Sequence, residues 1–435
     1  MRKVQTLALA IGFIAAGTAS AKENIDFMFP APVDGKLTVE MTRVIKEFNQ
    51  SQNDVEVRGI FTGSYDTKKV KAEAAAKAGD PPALVIMSAN FTADLAIKNE
   101  ILPMDELFKF GDQKATPFLT QNFWPAMRQN AQVNGVTYAI PFHNSTPILY
   151  YNKTLFAKAG ITAPPKDWDE LLEDSKKLTD AAKGQWGIML PSTNDDYGGW
   201  ILSALVRANG GQYYNADYPG EVYYNKPSTL GALHFWQNLV YRDKVMPSGV
   251  LNSKQISAAF FSGKLGMAML STGALGFMRE NTKDFELGVA MMPAKVRNAV
   301  TIGGASLVSF KGISDDQKKA AYTFLQYLVS PKVNGAWSRF TGYFSPRMAS
   351  YDTPEMKGYL AKDPRAAIAL EQLKYAYPWY ATYETVAVRQ AMENQLAALV
   401  NDEKVTPEAA AAQAQKDADT LMKPYVESTA LTVPK

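Results

Sequence analysis

Apolar residues at Leu37, Met41, Val44 and Phe48 recur every three or four positions, the spacing of one helix face, and the run 55–61 (VEVRGIF) then alternates like a strand. Residues 65–78 predict a second helix, 83–87 a short buried strand and 92–98 a third helix. Alternation of this kind predicts an α/β fold with a mostly parallel sheet covered by helices, and ligand contacts on loops beyond the strand ends. A strand at 138–142, interrupted by Pro141, is followed almost at once by another at 148–152, a link short enough to carry the chain between two lobes. Helices at 153–159 and 168–181, with the Pro164-Pro165 turn between them, start a new set of elements.

Two helix boundaries carry their own chemistry. Ser314 followed three residues later by Gln317 is a capping box, and Ala321, Phe324, Leu325 and Leu328 then share one face until Pro331 stops the helix. Thr406, Pro407 and Glu408 give an N-cap, a proline at the first helical position and an early acid, predicting a helix through the alanine run to Met422. No repeat of fixed period and no long Gly/Ser/Pro linker divides the chain, which suggests two lobes that exchange strands.

Length makes two domains the expectation. At 435 residues the chain exceeds the size at which one core keeps growing, so roughly two domains of ~200 residues are expected, and 46% hydrophobic residues suffice for two cores. Residues 1–21 run from Met1-Arg2-Lys3 through an apolar stretch to Ala19-Ser20-Ala21, the order of a secretory signal cleaved after Ala21. Its apolar core is too short to span a bilayer. Cysteine is absent, which removes a lipoprotein anchor, disulfides and thiolate metal sites, and an exported chain without an anchor suits the periplasm. Net charge is +3, two units of it in the leader, so there is no electrostatic footprint for nucleic acid or an acidic membrane.

Catalytic chemistry is scarce. His143 and His234 are the only imidazoles, no G-x-S-x-G elbow is present, and two histidines without cysteine do not make a His/Cys metal cluster. His234 lies in the apolar run LHFW, where a packed or surface histidine is expected. Carboxylate-only chemistry stays open with 43 Asp and Glu, although no pair stands out and Asp195-Asp196 read as a solvated loop. The Gly303-Gly304 doublet sits where a strand begins or bends; it either lets backbone N–H groups approach an anion or sugar, or merely allows a bulge. Neither a catalytic residue, a metal site nor a cofactor is expected.

Four strings, PFHNSTPILYYNKTLFAKAG (141–160), GKLGMAMLSTGAL (263–275), IGGASLV (302–308) and RFTGYFSPR (339–347), together resemble the extracellular solute-binding proteins of the maltose and glycerol-phosphate importer group, most closely its glycerol-phosphate binders. The resemblance implies a two-lobed periplasmic-binding-protein fold with a ligand cleft between lobes and a hinge of several crossings near Pro141, Thr301 and Tyr343. It assigns 22–141 and 302–342 to one lobe and 142–301 and 343–435 to the other. It further implies a monomer that carries a small-molecule ligand to the membrane permease of an ABC importer. Ligand contacts implied in this way are Tyr65, Asn144, Tyr197, Trp200, Ser271, Thr272, Gly303, Gly304, Tyr343 and Arg389, with Tyr197 and Trp200 as stacking aromatics.

In that scheme Arg389 offers a two-pronged guanidinium to phosphate, and its removal is expected to leave fold stability almost unchanged. Other cationic groups are scarce in the matched segments. Two positions depart from the glycerol-phosphate pattern: Ala89 replaces a glutamate that takes a ligand hydroxyl, and Asn144 replaces a serine. The leading expectation is a receptor for a small phosphorylated polyol such as glycerol-3-phosphate or a glycerophosphodiester. Two alternatives stand beside it: a neutral-sugar binder using Tyr197, Trp200 and Trp379 for stacking, and a periplasmic carbohydrate-active enzyme with paired carboxylates.

Overall fold

A computed structural model describes residues 22–30, 36–193 and 197–430. The expected signal segment and the Asp195-Asp196 pair lie outside the described residues.

Helix Leu37–Ser51 buries Leu37, Met41, Val44 and Phe48, as their spacing predicts. A strand, β1 (Glu23–Phe29), precedes it, and the remaining strands are β2 (Val55–Phe61), β3 (Leu84–Ser88), β4 (Gln132–Val133), β5 (Val136–Thr137), β6 (Ile140–Ser145), β7 (Pro147–Asn152), β8 (Trp186–Met189), β9 (Leu265–Ser271), β10 (Leu287–Ala290), β11 (Val300–Val308) and β12 (Ala376–Pro378). They form one sheet in the order β12-β11-β3-β1-β2 with β6 also on β11, a second in the order β10-β7-β9-β8, and a small β4-β5 hairpin.

The sheets are mixed, not mostly parallel. β1 runs parallel to β2 and β3, and β11 to β12, but β11 is antiparallel to both β3 and β6, and β7 is antiparallel to β9 and β10. The reversed members sit where the chain passes between the sheets. β6 hands over to β7 in the other sheet across Thr146 alone, and β11 arrives from β10 in the other sheet.

Packing follows the sheets. One core draws on residues between Ile25 and Phe142 and between Ala305 and Trp337. Around the second sheet, one cluster joins Leu149, Trp236 and Leu265-strand neighbours such as Met267 to Val388, Leu396 and Met422, and another joins Ile148, Phe260 and Ile302 to Phe344 and Ala369.

Ser314 Oγ accepts from Gln317 N at 3.1 Å while Gln317 Oε1 accepts from Ser314 N at 2.9 Å, closing the capping box on helix Asp315–Leu328. Such a cap contributes about 1 kcal/mol. Pro331 does more than end this helix: it is the first residue of the next, Pro331–Thr341, because a proline lacks only an N–H that a first-turn residue leaves unused. The helix capped by Thr406 runs past Met422 to Thr429, with Pro424 inside it.

Candidate functional site

Ser64 caps helix Tyr65–Lys77 by accepting from Thr67 N at 3.2 Å, which fixes Tyr65 as the first helical residue. From there Tyr65 Oη lies 2.9 Å from His143 Nε2 on β6. Trp337 Nε1, a donor only, donates to His143 Nδ1 at 3.1 Å. Nδ1 must therefore be the bare nitrogen, and the imidazole hydrogen sits on Nε2, donated to Tyr65 Oη. The buried ring stacks on Tyr343 at 4.1 Å between centroids and parallel to Trp337 at 5.9 Å. Burial, reinforced by the positive charge of Lys68, drives the His143 pKa down to about 3, so the ring is neutral.

Tyr343 owes its position to Gly342, which ends helix Pro331–Thr341 in the left-handed region with φ of 95°. Its ring lies flat on Gly273, where a Cβ would strike the ring atoms. Ser271 and Thr272 close β9 beside it. Ser271 Oγ accepts from Gly273 N at 3.0 Å, Thr272 Oγ1 accepts from Thr146 N at 3.2 Å, and Ser271 N donates to Tyr197 Oη at 2.6 Å.

Tyr197 meets Trp200 edge to face at 5.7 Å, and Trp200 Nε1 donates to the Thr301 carbonyl at 3.1 Å. That places the Trp200 ring over Gly303, with no room for a side chain there. Asn144 Nδ2 donates to the Gly303 carbonyl at 3.2 Å. Gly304 pairs with Asn144 in the β6-β11 ladder at φ of 105°, and a Cβ on it would collide with the His143 carbonyl oxygen. The doublet thus provides both close approach of two strands and a left-handed backbone that other residues resist.

Arg389 stands on helix Thr385–Asn401, whose Val388, Met392 and Leu396 are built into the core of the second sheet. Its side chain is 1% exposed, donates from Nη2 to Asp66 Oδ2 at 2.6 Å, and lies 3.7 Å from Glu393 Oε2. Glu393 Oε1 in turn accepts from Gly199 N at 3.0 Å, beside Trp200. Asp66 follows Tyr65 on the first core's side, so this ion pair bridges the two cores. All ten candidate residues therefore belong to one connected set of contacts where the two sheets meet.

Four positions that sequence reasoning passed over complete the set: Asp66, Lys68, His143 and Glu393. Lys68, outside the four matched strings, adds a second cation beside Arg389's partner Asp66, for it is fully buried with Nζ 4.4 Å from the Tyr65 ring centroid. Its signal in the sequence is helical spacing, three residues after Tyr65. Glu393 was readable in the same way, four residues after Arg389. The expected indifference of stability to Arg389 also fails on geometry: two carboxylates would lose a buried partner. Trp379, a candidate stacking ring, packs inside the second core at 4.5 Å from Tyr380 and is 2% exposed. His234 is a surface residue paired with Glu408 Oε1 at 2.7 Å.

Comparison with known proteins identifies the family and the fold. The family described as bacterial extracellular solute-binding protein matches residues 43–368. The sn-glycerol-3-phosphate-binding periplasmic protein UgpB of Yersinia pseudotuberculosis is 27% identical over 452 residues, covering 98% of each chain, and that of Salmonella typhimurium is 29% identical over 385 residues, covering 84% of each. Among solved structures, UgpB from Mycobacterium tuberculosis in complex with glycerophosphocholine superposes with a TM-score of 0.81 at 24% identity, covering 93% of this chain and 100% of that one. A Thermotoga lettingae ABC transporter solute-binding protein bound with alpha-D-tagatose superposes at 0.80 with 23% identity, covering 92% and 100%. The fold is the α/β periplasmic-binding-protein fold, and the chain belongs to the bacterial extracellular solute-binding proteins, which are transport receptors and not enzymes.

Proposed function

We propose that this chain, exported and cleaved after Ala21, is the periplasmic receptor of an ABC importer and holds a small phosphorylated polyol between two lobes for delivery to the permease. The lobes are taken as 22–141 with 302–342 and 142–301 with 343–435. Support comes from the separate cores on the two sheets; the link at Thr146 argues for extending the first segment to 145, since β6 pairs in the first sheet and Phe142 packs in the first core. The observation that carries the ligand reading is Arg389, buried where the two cores meet and able to address an anion with its planar fork. The UgpB relatives, named for sn-glycerol-3-phosphate, point the same way.

A neutral-sugar reading has one observation in its favour. Arg389 already faces the carboxylates of Asp66 and Glu393, so its charge is offset before any ligand arrives. A thermal-shift panel separates the two readings, because a ligand at 100 times its Kd adds ~2.7 kcal/mol to the folded state. Stabilisation by glycerol-3-phosphate or glycerophosphocholine, with none by maltose or tagatose, is expected. Stabilisation by the neutral sugars alone would overturn the phosphorylated-polyol reading.

A further inference from the structure

Lys68 carries an amine taken wholly out of water, at 0% exposure, and among the described residues its Nζ has no hydrogen-bond partner. The next residue shows what this fold does with a structural lysine. Lys69, also buried, is matched by Glu73 and by Asp94 at 3.1 Å, and Lys98 by Asp94 and Glu384. Lys68 has no such match. Among the described residues the carboxylate acting on it is Asp66, which is committed through Oδ2 to Arg389 and keeps a buried Oδ1 that has no hydrogen-bond partner among them either. Neutral His143 and the Tyr65 ring complete the surroundings.

A buried, unmatched cation beside an unmatched acceptor, at the point where the two cores meet, has the donor and acceptor order of a recognition site. We propose that Lys68 is a solute-binding residue: its ammonium takes an acidic group of the solute, and Asp66 Oδ1 accepts a solute hydroxyl. The solute class is then an acid carried on a polyol, the acid being a phosphate or a carboxylate. This rests on the crevice between the lobes being the solute site, and it adds a reason for anion selectivity that Arg389, flanked by two carboxylates, does not supply. A neutral solute leaves Lys68 unmatched. An acidic one neutralises it, which also offsets the burial that pushes the ammonium well below the usual lysine range.

The test is calorimetric titration of the mature chain and of Lys68→Met with glycerol-3-phosphate, gluconate and maltose, with circular dichroism to confirm folding. Methionine keeps the length of the stem and removes the charge; Lys68→Gln serves in its place should it not fold. The expected result is that the acid bound by the wild type is bound on the order of 30-fold or more weakly by the variant, while any affinity for maltose stays within about threefold. If the wild type binds glycerol-3-phosphate and the variant binds it equally well, Lys68 is not a contact and the phosphorylated-polyol reading stands without it. If the wild type binds gluconate but not glycerol-3-phosphate, and the variant loses gluconate, the Lys68 assignment holds and the phosphate reading falls. Binding of maltose alone, unchanged in the variant, would overturn both.

Discussion

Acid should destabilise this protein through His143, in a way the geometry of one ring dictates. The imidazole accepts from Trp337 at Nδ1 and donates from Nε2 to Tyr65, so a second proton on Nδ1 would face the Trp337 N–H and break that bond. Burial and Lys68 also oppose the charge, leaving a pKa of about 3 in the folded chain against an ordinary value of 6.5. Below pH 6.5 the unfolded chain gains a proton that the native chain refuses, so stability falls as pH drops and the loss levels off near pH 3. At pH 5 the gap from 6.5 amounts to roughly 2 kcal/mol, and at the plateau about 5 kcal/mol, at 1.36 kcal/mol per pH unit. Urea unfolding between pH 7.5 and 4.5 measures the slope. Other titrating groups contribute to it as well, so the informative quantity is the difference from His143→Asn, which retains an acceptor for Trp337 and has no proton to gain. The variant should be less stable at pH 7.5 yet lose about 2 kcal/mol less between there and pH 5. Equal slopes for the two proteins would show that His143 takes up its proton as readily in the folded chain as in the unfolded one, refuting the depressed pKa.

Arg389→Ala should cost about 3 to 5 kcal/mol in urea unfolding, since it leaves Asp66 and Glu393 facing a buried site without their cation; Arg389→Lys should recover part of it. Gly304→Ala should lower the melting temperature by the equivalent of roughly 1 to 3 kcal/mol or more, because φ is 105° and the new Cβ meets the His143 carbonyl; an unchanged melt would mean that β6 yields easily. Small-angle scattering should show a smaller radius of gyration with saturating ligand than without, as two lobes joined through Thr146, β11 and Tyr343 close on the solute; equal radii would exclude closure.

What the sequence revealed was what is local. A face such as Leu37, Met41, Val44 and Phe48, or a cap such as Ser314 with Gln317, is decided within one or two turns, and the structure reproduces both. Strand direction is not local. The alternation of β11 looks the same whether its neighbours run with it or against it, and only the chain's passage between sheets makes β3 and β6 antiparallel partners. The candidate site divides along the same line. Arg389 was readable from its surroundings, but its partner Asp66 lies 323 residues away, so a lone arginine on a helix resembled a solvent-facing ion pair. Lys68 was hidden differently: it falls in the run YDTKKVKAEAAAK, whose lysines look like a hydrated face, and only the fold shows Lys68 and Lys69 to be buried.

The charges around Arg389 also bear on how such a receptor avoids closing empty. The Asp66–Arg389 contact joins a helix packed on one core to a helix packed on the other, so if the lobes close as proposed it forms whether or not a solute is present. Taken alone, that contact would favour an unladen closed form, which would compete for the permease without delivering anything. Lys68 supplies an opposing term. If closure is what takes its amine out of water, with only a shared carboxylate nearby, the cost is several kcal/mol for an unmatched ion. An acidic solute cancels that cost at Lys68 while a neutral one does not, so selectivity and closure are governed by the same side chain. On this account Lys68→Met should bind acids more weakly and, with no solute present, be more compact than the wild type in small-angle scattering. A variant no more compact than the wild type would assign the opposing term to some other group.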